Sequence, residues 1–430
     1  MDGNKKNLVG LPDRTKSYLN FCNAIAKERP ATTFGFTAYA DVMEPSINFK
    51  LQPNLIASLT YETFQWLDPE RKKNAQNLIA HWKKASSGPI GLYDYVYGNH
   101  YPLPRIYTRA LASTLKWAHA NQVRYLSGEY YPNGDWQDVI KIYVWLKLAW
   151  DINADPEVLI EEWCSAAVGE KAAPFLKRYF DRLEKYWTSP EVRKTDWFQK
   201  ESIYLNWTDP SCLEALPSDL IPECAALLNK VCEYSDNPQR AEYFRTKFLE
   251  AKPSLLTFLK SRDLRKKASE INFPVLAMKE DFNTPGRKWA TWKESVSVKG
   301  KFQRDETGGL NMTPAMMIDV NDAKYLSMVY LGYMKAVPDK KYSVSVWVKS
   351  ENLAPDAVIR IQIRWQKDKK WQNNIYNTKE LVPVNKNWSL VTLLINSPSD
   401  EDSTMVLLLS AQNSDNGKVW FDDVVVEMEK

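Results

Sequence analysis

Along the first 150 residues, short runs of apolar and β-branched residues alternate with longer stretches whose apolar positions recur every three to four residues. The short runs predict β-strands and the longer stretches predict amphipathic helices. Strands separated by helices form parallel sheets, so this region is predicted to contain four successive βα units. The predicted strands are 33–40, 55–60, 90–97 and 123–127, and the predicted helices lie near 13–28, 68–86, 104–120 and 136–150.

Four βα units make half of a (β/α)8 barrel of the TIM type. A parallel sheet is covered on both faces or closed, and a half barrel would leave strand edges and apolar faces exposed. We therefore expect the N-terminal half of the barrel to precede Met1, or a partner to supply the cover. On this interpretation residues 1–150 form the second half of a (β/α)8 barrel.

In the rest of the chain, the pattern of apolar and polar residues changes twice. From 151 to 272 the periodicity is helical, and Asp155 and Asn237 each precede a proline, as at a helix start. From 273 to 430 apolar and polar residues alternate in short runs separated by Gly, Pro, Asp and Asn. These patterns predict an all-α appendage followed by a β-sandwich of jelly-roll type.

Composition favours a carbohydrate ligand and disfavours other classes. Aromatic residues make up 13% of the chain, with 17 Trp and 22 Tyr, and aromatic rings offer flat faces to sugar C–H groups. The net charge is only +4 and the basic residues are scattered, so we expect no nucleic-acid partner. No apolar run is long enough to span a membrane, and Met1–Lys6 lacks the apolar core of a signal peptide.

Each predicted strand of the first region ends near a carboxylate flanked by aromatic residues. The carboxylates are Asp41, Glu62, Asp94 and Glu129 in strand order. The carboxyl ends of barrel strands carry the catalytic residues, and a glycosidase needs two carboxyl groups there. A single one of them can equally cap the next helix or form an ion pair. The predicted substrate-binding residues are Tyr39, Glu62, Tyr93, Tyr95, Tyr97, His100, Tyr101, Tyr130, Tyr131 and Trp136.

Cofactor chemistry finds little support in the sequence. The three histidines are dispersed, the five cysteines contain no CxxC pair, and no serine lies in a nucleophile elbow. We therefore expect no catalytic metal and no nucleotide or redox cofactor. The acidic pair Asp422–Asp423 near the end of the sandwich is a candidate for holding a structural Ca²⁺ through oxygen ligands.

Three segments carry a resemblance to a known family: LYDYVYGNHYPLPRIYTRAL (92–111), RYLSGEYYPNGDW (124–136) and WLKLAWDINADPEVLIEEW (145–163). They resemble the C-terminal barrel segments of glycoside hydrolase family 163, over roughly residues 1–190. The resemblance implies an endo-β-N-acetylglucosaminidase acting on complex N-glycans, in the periplasm or outside the cell. It also implies that the 273–430 sandwich is an appended carbohydrate-binding module.

Consecutive strand ends of a parallel sheet converge on one mouth, so Asp94 and Glu129 are predicted to face one cavity, with Asp41 and Glu62 beside them. Glu129 is predicted to be the acid/base and Asp94 the stabilising carboxylate, with Asp2 or a residue of the missing half as alternatives for either role. Without the first half of the barrel, activity is expected to be impaired. Two alternatives stay open, a non-catalytic glycan-binding protein and a structural component of a cell-surface glycan-uptake system. Candidate sugar platforms in the sandwich are Trp289, Trp292, Trp365, Trp371 and Trp388, whereas Trp347 and Trp420 alternate as core residues would.

Overall fold

The computed structural model describes residues 5–7, 11–45, 48–98, 101–131, 136–200, 204–206, 209–271, 275–283, 289–293, 300–320, 323–330, 334–354, 357–372, 378–382, 386–414 and 416–430. The chain divides into two compact units. The first comprises Met1–Trp207 and Ala215–Glu250, and the second comprises Thr208–Glu214 and Ala251–Lys430. The domain boundaries predicted at 150 and 272 stay predictions.

The first unit contains a parallel sheet of four strands in the order β1-β2-β3-β4. Its strands are β1 (Phe34–Ala38), β2 (Leu55–Thr60), β3 (Ile90–Asp94) and β4 (Val123–Gly128). All four predicted strands are present, although β1 and β3 end two to three residues earlier than expected. The sheet is parallel as predicted, while its interpretation as half of a closed barrel stays a prediction.

Helices alternate with these strands where the periodicity predicted them: α1 (Thr15–Glu28), α2 (Pro69–Ala85), α3 (Thr108–Ala120) and α4 (Val139–Trp150). The start of α2 has a local cause. The Asp68 carboxylate accepts hydrogen bonds from the backbone N–H groups of Glu70 and Arg71 at 3.0 and 2.9 Å. Pro69 has no N–H to satisfy at the first helical position.

The core of the sheet region forms because strands and helices bury their apolar faces against each other. Trp82 of α2 is fully buried and meets Phe36 of β1 edge to face, with ring centroids 5.6 Å apart. The indole N–H of Trp82 donates to the Met43 carbonyl at 2.9 Å. That bond satisfies the one polar atom of a large buried ring.

Six more helices follow: α5 (Pro156–Val168), α6 (Ala173–Trp187), α7 (Pro190–Arg193), α8 (Asp196–Gln199), α9 (Leu220–Tyr234) and α10 (Pro238–Ile271). Arg109 at the start of α3 pairs with Asp181 and Glu184 of α6 and with Glu157 of α5. This cluster connects the sheet region to the following helices inside one compact unit. No helix in the described part of the chain has the length and apolarity of a membrane span.

The second unit is a sandwich of two antiparallel sheets. One sheet has the order β13-β12-β16-β9-β6, with β10 on β16 and β14 on β12; the other has the order β15-β11-β17-β8-β7, with β5 on β17. The strands are β5 (Val275–Glu280), β6 (Trp289–Lys293), β7 (Lys301–Asp305), β8 (Ala315–Asp319), β9 (Ala323–Tyr330), β10 (Met334–Lys335), β11 (Lys341–Glu351), β12 (Val358–Lys367), β13 (Lys370–Gln372), β14 (Thr378–Val382), β15 (Ser389–Asn396), β16 (Thr404–Ser414) and β17 (Lys418–Met428).

The sandwich core follows the alternation that the sequence predicted. On β12 the buried residues are Ile359, Ile361, Ile363 and Trp365, with half-buried polar residues between them. These side chains pack in one cluster with residues of the opposite sheet, such as Val344 of β11. The predicted β-sandwich is therefore confirmed.

The later part of α10 packs on the sandwich. The hydroxyl of Ser261 accepts a hydrogen bond at 3.2 Å from the backbone N–H of Thr392, on the edge strand β15. Phe258 lies 6.5 Å from Trp347, centroid to centroid. The sandwich unit accordingly includes α10 from Ala251 onward, together with Thr208–Glu214.

Candidate functional site

Glu129 follows the last residue of β4, at the carboxyl end of the parallel sheet. Its backbone N–H donates to the Asp94 carbonyl at 2.9 Å, which continues the pairing of β4 with β3 by one residue. Its Oε1 accepts from the Tyr93 hydroxyl at 2.9 Å and its Oε2 from the Tyr131 hydroxyl at 2.5 Å. The half-buried carboxylate is thus held between two phenols.

These phenols stay protonated at neutral pH. Burial, and then the hydrogen bond to Glu129 and its charge, raise the pKa of Tyr93 to about 12. The hydrogen bond to Glu129 also raises the pKa of the exposed Tyr131. Both groups are therefore hydrogen-bond donors, and together they fix the orientation of the Glu129 carboxyl group.

Tyrosine rings surround this carboxylate. Successive ring centroids lie 5.9 Å apart from Tyr93 to Tyr95, 5.9 Å from Tyr95 to Tyr97 and 6.0 Å from Tyr97 to Tyr131. Tyr39, which follows β1, interacts with Tyr95 and contributes to raising its pKa, although burial is the larger cause. We call the six residues Tyr39, Tyr93, Tyr95, Tyr97, Tyr131 and Tyr204 the tyrosine wall.

Tyr204 is the member of the tyrosine wall that the sequence did not reveal. Its ring lies 5.3 Å from that of Tyr95, although the two residues are far apart in the chain. Tyr39, Tyr131 and Tyr204 are 36%, 43% and 37% exposed, so the wall presents ring surface to solvent. No local pattern around residue 204 indicates this return of the chain to the sheet.

Asp94 occupies a different environment from Glu129. Its side chain is buried, and Oδ1 accepts from the backbone N–H groups of Thr63 and Tyr95, each at 2.8 Å. Oδ2 accepts from the Thr63 hydroxyl. Burial raises the pKa of Asp94 and these hydrogen bonds oppose the rise. The Asp94 carboxylate therefore joins the end of β3 to the turn after β2. The backbone carbonyl of Asp94 accepts the hydrogen bond from the Glu129 backbone N–H.

Glu62 is also fully buried, and it forms an ion pair with the equally buried Arg105. It accepts a further hydrogen bond from the backbone N–H of Leu205. Arg105 donates to the carbonyls of Tyr95 and Tyr97 at 2.8 and 2.7 Å. The pair therefore holds the backbone that carries part of the tyrosine wall.

The remaining predicted residues lie in several settings. Asp41 sits in a 3-10 turn and approaches Arg14 at 3.7 Å. The buried Tyr101 donates to the Leu205 carbonyl at 3.1 Å, and Tyr130 donates to Asp138 Oδ1 at 3.1 Å. Trp136 is half exposed and lines a separate cleft. Asp2 and His100 lie outside the described residues.

The candidate tryptophans of the sandwich divide by burial. Trp365 is fully buried in the core, and Trp388 is nearly so. Trp371 is 43% exposed, with the Arg364 guanidinium 4.2 Å from its ring centroid. Trp289 packs partly against the core. Trp420 is buried, as its position in the alternation predicted, and the side chain of Trp292 lies outside the described residues.

Within the described residues, no group of three or more His, Cys, Asp or Glu side chains could hold a metal ion. The side chain of Asp422 accepts hydrogen bonds from the backbone N–H groups of Leu310 and Asp423, at 2.9 and 2.8 Å. These donors occupy oxygen atoms that a cation would otherwise contact. The structural Ca²⁺ stays a prediction.

Comparison with known families gives one match. Residues 4–181 of the 430 match a family described as a domain of unknown function, DUF4838. No curated protein matches the chain. The resemblance to glycoside hydrolase family 163 in particular stays a prediction.

Among solved structures, the chain is similar to the first family 22 carbohydrate-binding and family 10 glycoside hydrolase modules of a Clostridium thermocellum endo-1,4-β-D-xylanase. The identity is 16% and the TM-score 0.28, over 36% of this chain and 29% of that one. A family 22 xylan-binding domain from Paenibacillus barcinonensis is 14% identical, with a TM-score of 0.28, over 35% and 98% of the two chains. A family 11 carbohydrate-binding module from C. thermocellum is 15% identical, with a TM-score of 0.25, over 36% and 95%.

Proposed function

We propose that this protein binds an oligosaccharide at the carboxyl end of its parallel sheet, with Glu129 as the acid/base carboxyl group of a glycoside hydrolase. The observation that carries the proposal is the half-buried Glu129 carboxylate, held by Tyr93 and Tyr131 beside exposed tyrosine rings. The substrate class that we infer, from the resemblance of residues 92–163, is a β-linked glycan containing N-acetylglucosamine, such as a complex N-glycan. Such substrates are met in the periplasm or outside the cell.

The chemistry of the site suits a sugar. Aromatic rings stack on the apolar faces of pyranoses, and phenolic hydroxyls bond to sugar oxygens. Hydrolysis needs a general acid for the leaving oxygen and a second carboxyl group as nucleophile or base. Glu129 can serve as the first. Asp41 and Asp2 are the candidates in this chain for the second, and a complementary barrel half is another source.

A non-catalytic glycan-binding role is the second candidate, and a specific observation favours it. Asp94 and Glu62 follow neighbouring strands but are buried and already bonded to backbone N–H groups or to Arg105. Because both side chains are buried, unlike that of Glu129, neither can approach a glycosidic oxygen without losing those bonds. The tyrosine wall could then bind a sugar chain that the protein does not cleave.

The test compares wild type with Glu129→Gln, using a biantennary complex N-glycopeptide. Calorimetry measures binding, and mass spectrometry of the released glycan measures hydrolysis. The hydrolase proposal predicts that Glu129→Gln binds within about threefold of wild type and loses turnover by at least about a hundredfold. Glu70→Gln, an exposed carboxylate on α2, serves as the matched control. Wild-type binding without turnover would favour the second candidate, and no binding would reject both.

A further inference from the structure

A cleft of about 760 Å³ lies in the first unit, beside the beginnings of α4 and α10 and the face of α5. Its lining combines four aromatic rings, one valine, two amides and one guanidinium. A concave site of this size accommodates a small ligand of a few sugar rings. The residues that matter to the argument are Trp136, Trp163, Tyr243, Asn237, Gln239 and Arg240.

Ring contacts and a hydrogen bond hold the aromatic residues of the cleft in place. The ring of Trp163 meets those of Phe180 and Phe244 edge to face, at 5.7 and 6.2 Å between centroids. The backbone N–H of Trp136 donates to the Tyr243 hydroxyl at 2.5 Å, which fixes the loop before α4 to α10. The indole of Trp136 is nevertheless 52% exposed, so it offers a flat platform to a ligand.

The charged residue among those that line the cleft is the cation Arg240. Arg240 is exposed, and one long hydrogen bond, 3.4 Å from Nη1 to the Ala166 carbonyl, orients its guanidinium. None of the described residues that line the cleft is Asp or Glu. A guanidinium carries five N–H donors in a planar fork, which matches the two oxygens of a carboxylate. The cleft is therefore complementary to an anion beside an apolar ring face.

We propose that this cleft binds a sugar residue that carries a carboxylate. The pyranose ring would stack on Trp136, its carboxylate would receive the Arg240 fork, and Asn237 and Gln239 would bond to its hydroxyls. A neutral sugar would use the platform but leave the cation without a partner. Uronic acids and sialic acids share the required chemistry, and the test separates them.

This site is distinct from the Glu129 cluster and does not require Glu129 to be catalytic. The proposal makes its own prediction. Glu129→Gln should leave binding at the cleft unchanged, so failure of the proposed hydrolysis would not affect it.

The experiment measures the affinity of the whole chain for two matched pairs of ligands by calorimetry. One pair is 3′-sialyllactose and lactose, and the other is trigalacturonic acid and the same trisaccharide with its carboxyl groups reduced to alcohols. We expect at least one acidic member to bind about tenfold more tightly than its neutral partner at low salt. The preference should shrink as salt rises. The pair that shows it identifies the sugar class.

Three variants assign the contacts. Arg240→Gln should abolish the preference for the acidic ligand while leaving the binding of the neutral one unchanged. Trp136→Ala should weaken both members of the pair about tenfold, with circular dichroism and thermal unfolding confirming that the fold persists. Arg29→Gln, which removes an exposed charge beyond the end of α1, should match wild type. Equal binding of acidic and neutral ligands, no binding of either acid, or an unchanged preference in Arg240→Gln would overturn the proposal.

Discussion

Tyr93 donates its phenolic hydrogen to Oε1 of Glu129 across 2.9 Å, and so joins the ends of the neighbouring strands β3 and β4 by a side-chain bond. Tyr131 donates to the other oxygen from two residues further along the chain. A carboxylate with both oxygens bonded to phenols has a fixed orientation before any ligand arrives. Orientation of this kind reduces the entropy lost when a sugar binds.

We therefore expect the double variant Tyr93→Phe/Tyr131→Phe to bind the N-glycopeptide about tenfold more weakly than wild type, because Glu129 loses two charge-assisted hydrogen bonds. The fold should persist, since both rings remain. The matched control is Tyr125→Phe, an exposed tyrosine on the same β4 strand, which should bind normally. Isothermal calorimetry gives both affinities, and equal values for all three proteins would refute this role of the phenols.

The buried pair Glu62–Arg105 should dominate the stability of the first unit. Arg105→Met leaves the Glu62 carboxylate without its counter-charge in a fully buried position, and we expect the free energy of unfolding to fall by about 3–5 kcal/mol. Arg14→Met removes one partner of the exposed Arg14–Asp41 pair and should cost less than about 1 kcal/mol. Urea unfolding compares the two variants. If Arg105→Met lowers the free energy of unfolding by less than about 1 kcal/mol, the buried Glu62–Arg105 pair does not have this stabilising role.

Asp422 should make the second unit less stable as the pH rises. Burial raises the pKa of this carboxyl group to about 6, whereas an unfolded Asp titrates near 3.9. The folded state binds the proton more tightly, so its stability falls as the pH rises from about 4 to about 6, by up to about 3 kcal/mol. Relative to wild type, Asp422→Asn should gain stability between pH 4.5 and pH 7.5.

The control for this pH effect is a carboxyl group whose pKa is shifted in the opposite direction. Lys367 lies 2.7 Å from Asp400 and, through its hydrogen bond, lowers the pKa of that carboxyl group. Because an Asp with a lowered pKa is ionised in both the folded and the unfolded state above about pH 4.5, Asp400→Asn should show almost no change in stability relative to wild type over the same interval. Urea unfolding at the two pH values, followed by Trp fluorescence, measures both variants. The interpretation fails if Asp422→Asn gains no more stability over this interval than Asp400→Asn.

The later part of α10 should stabilise the sandwich unit. A chain of residues 251–430 retains the contacts of Phe258 with Trp347 and of Ser261 with Thr392, whereas 275–430 loses both. We expect both segments to show a cooperative thermal transition, with that of 251–430 about 2–4 °C higher, as a difference of about 1 kcal/mol would produce. Calorimetry of the two purified segments makes the comparison. Equal transition temperatures would show that the helix adds nothing.

The strands of both units could be predicted because their signals are local. The run that became β2 matches its predicted range, and β12 repeats apolar residues at every second position. The same alternation that places Ile363 inward also places Trp365 in the core, so period two argued against Trp365 as a sugar platform. Trp371, in a short strand at the sheet edge, has no such pattern around it.

The environment of the carboxylates could not be predicted. Asp94, Glu62 and Glu129 all lie at or just after a strand end beside aromatic residues, and only tertiary structure distinguishes them. The counter-ion of Glu62 is 43 residues away and the backbone donor from Leu205 is 143 residues away. Burial and ion pairing at that distance have no counterpart in local periodicity, so the sequence placed three unlike carboxylates in one class.

Ser261 precedes its hydrogen-bond partner Thr392 by 131 residues, and this order has a consequence for biosynthesis. A chain emerges from the ribosome N-terminus first, so the helix is already available when β15 is made. The backbone N–H of Thr392 can then be bonded as soon as β15 pairs with β11, before a neighbouring nascent chain can add to that edge. The later part of α10, which covers the edge strand β15 and so opposes strand exchange between molecules, is therefore synthesised before the strand that it protects.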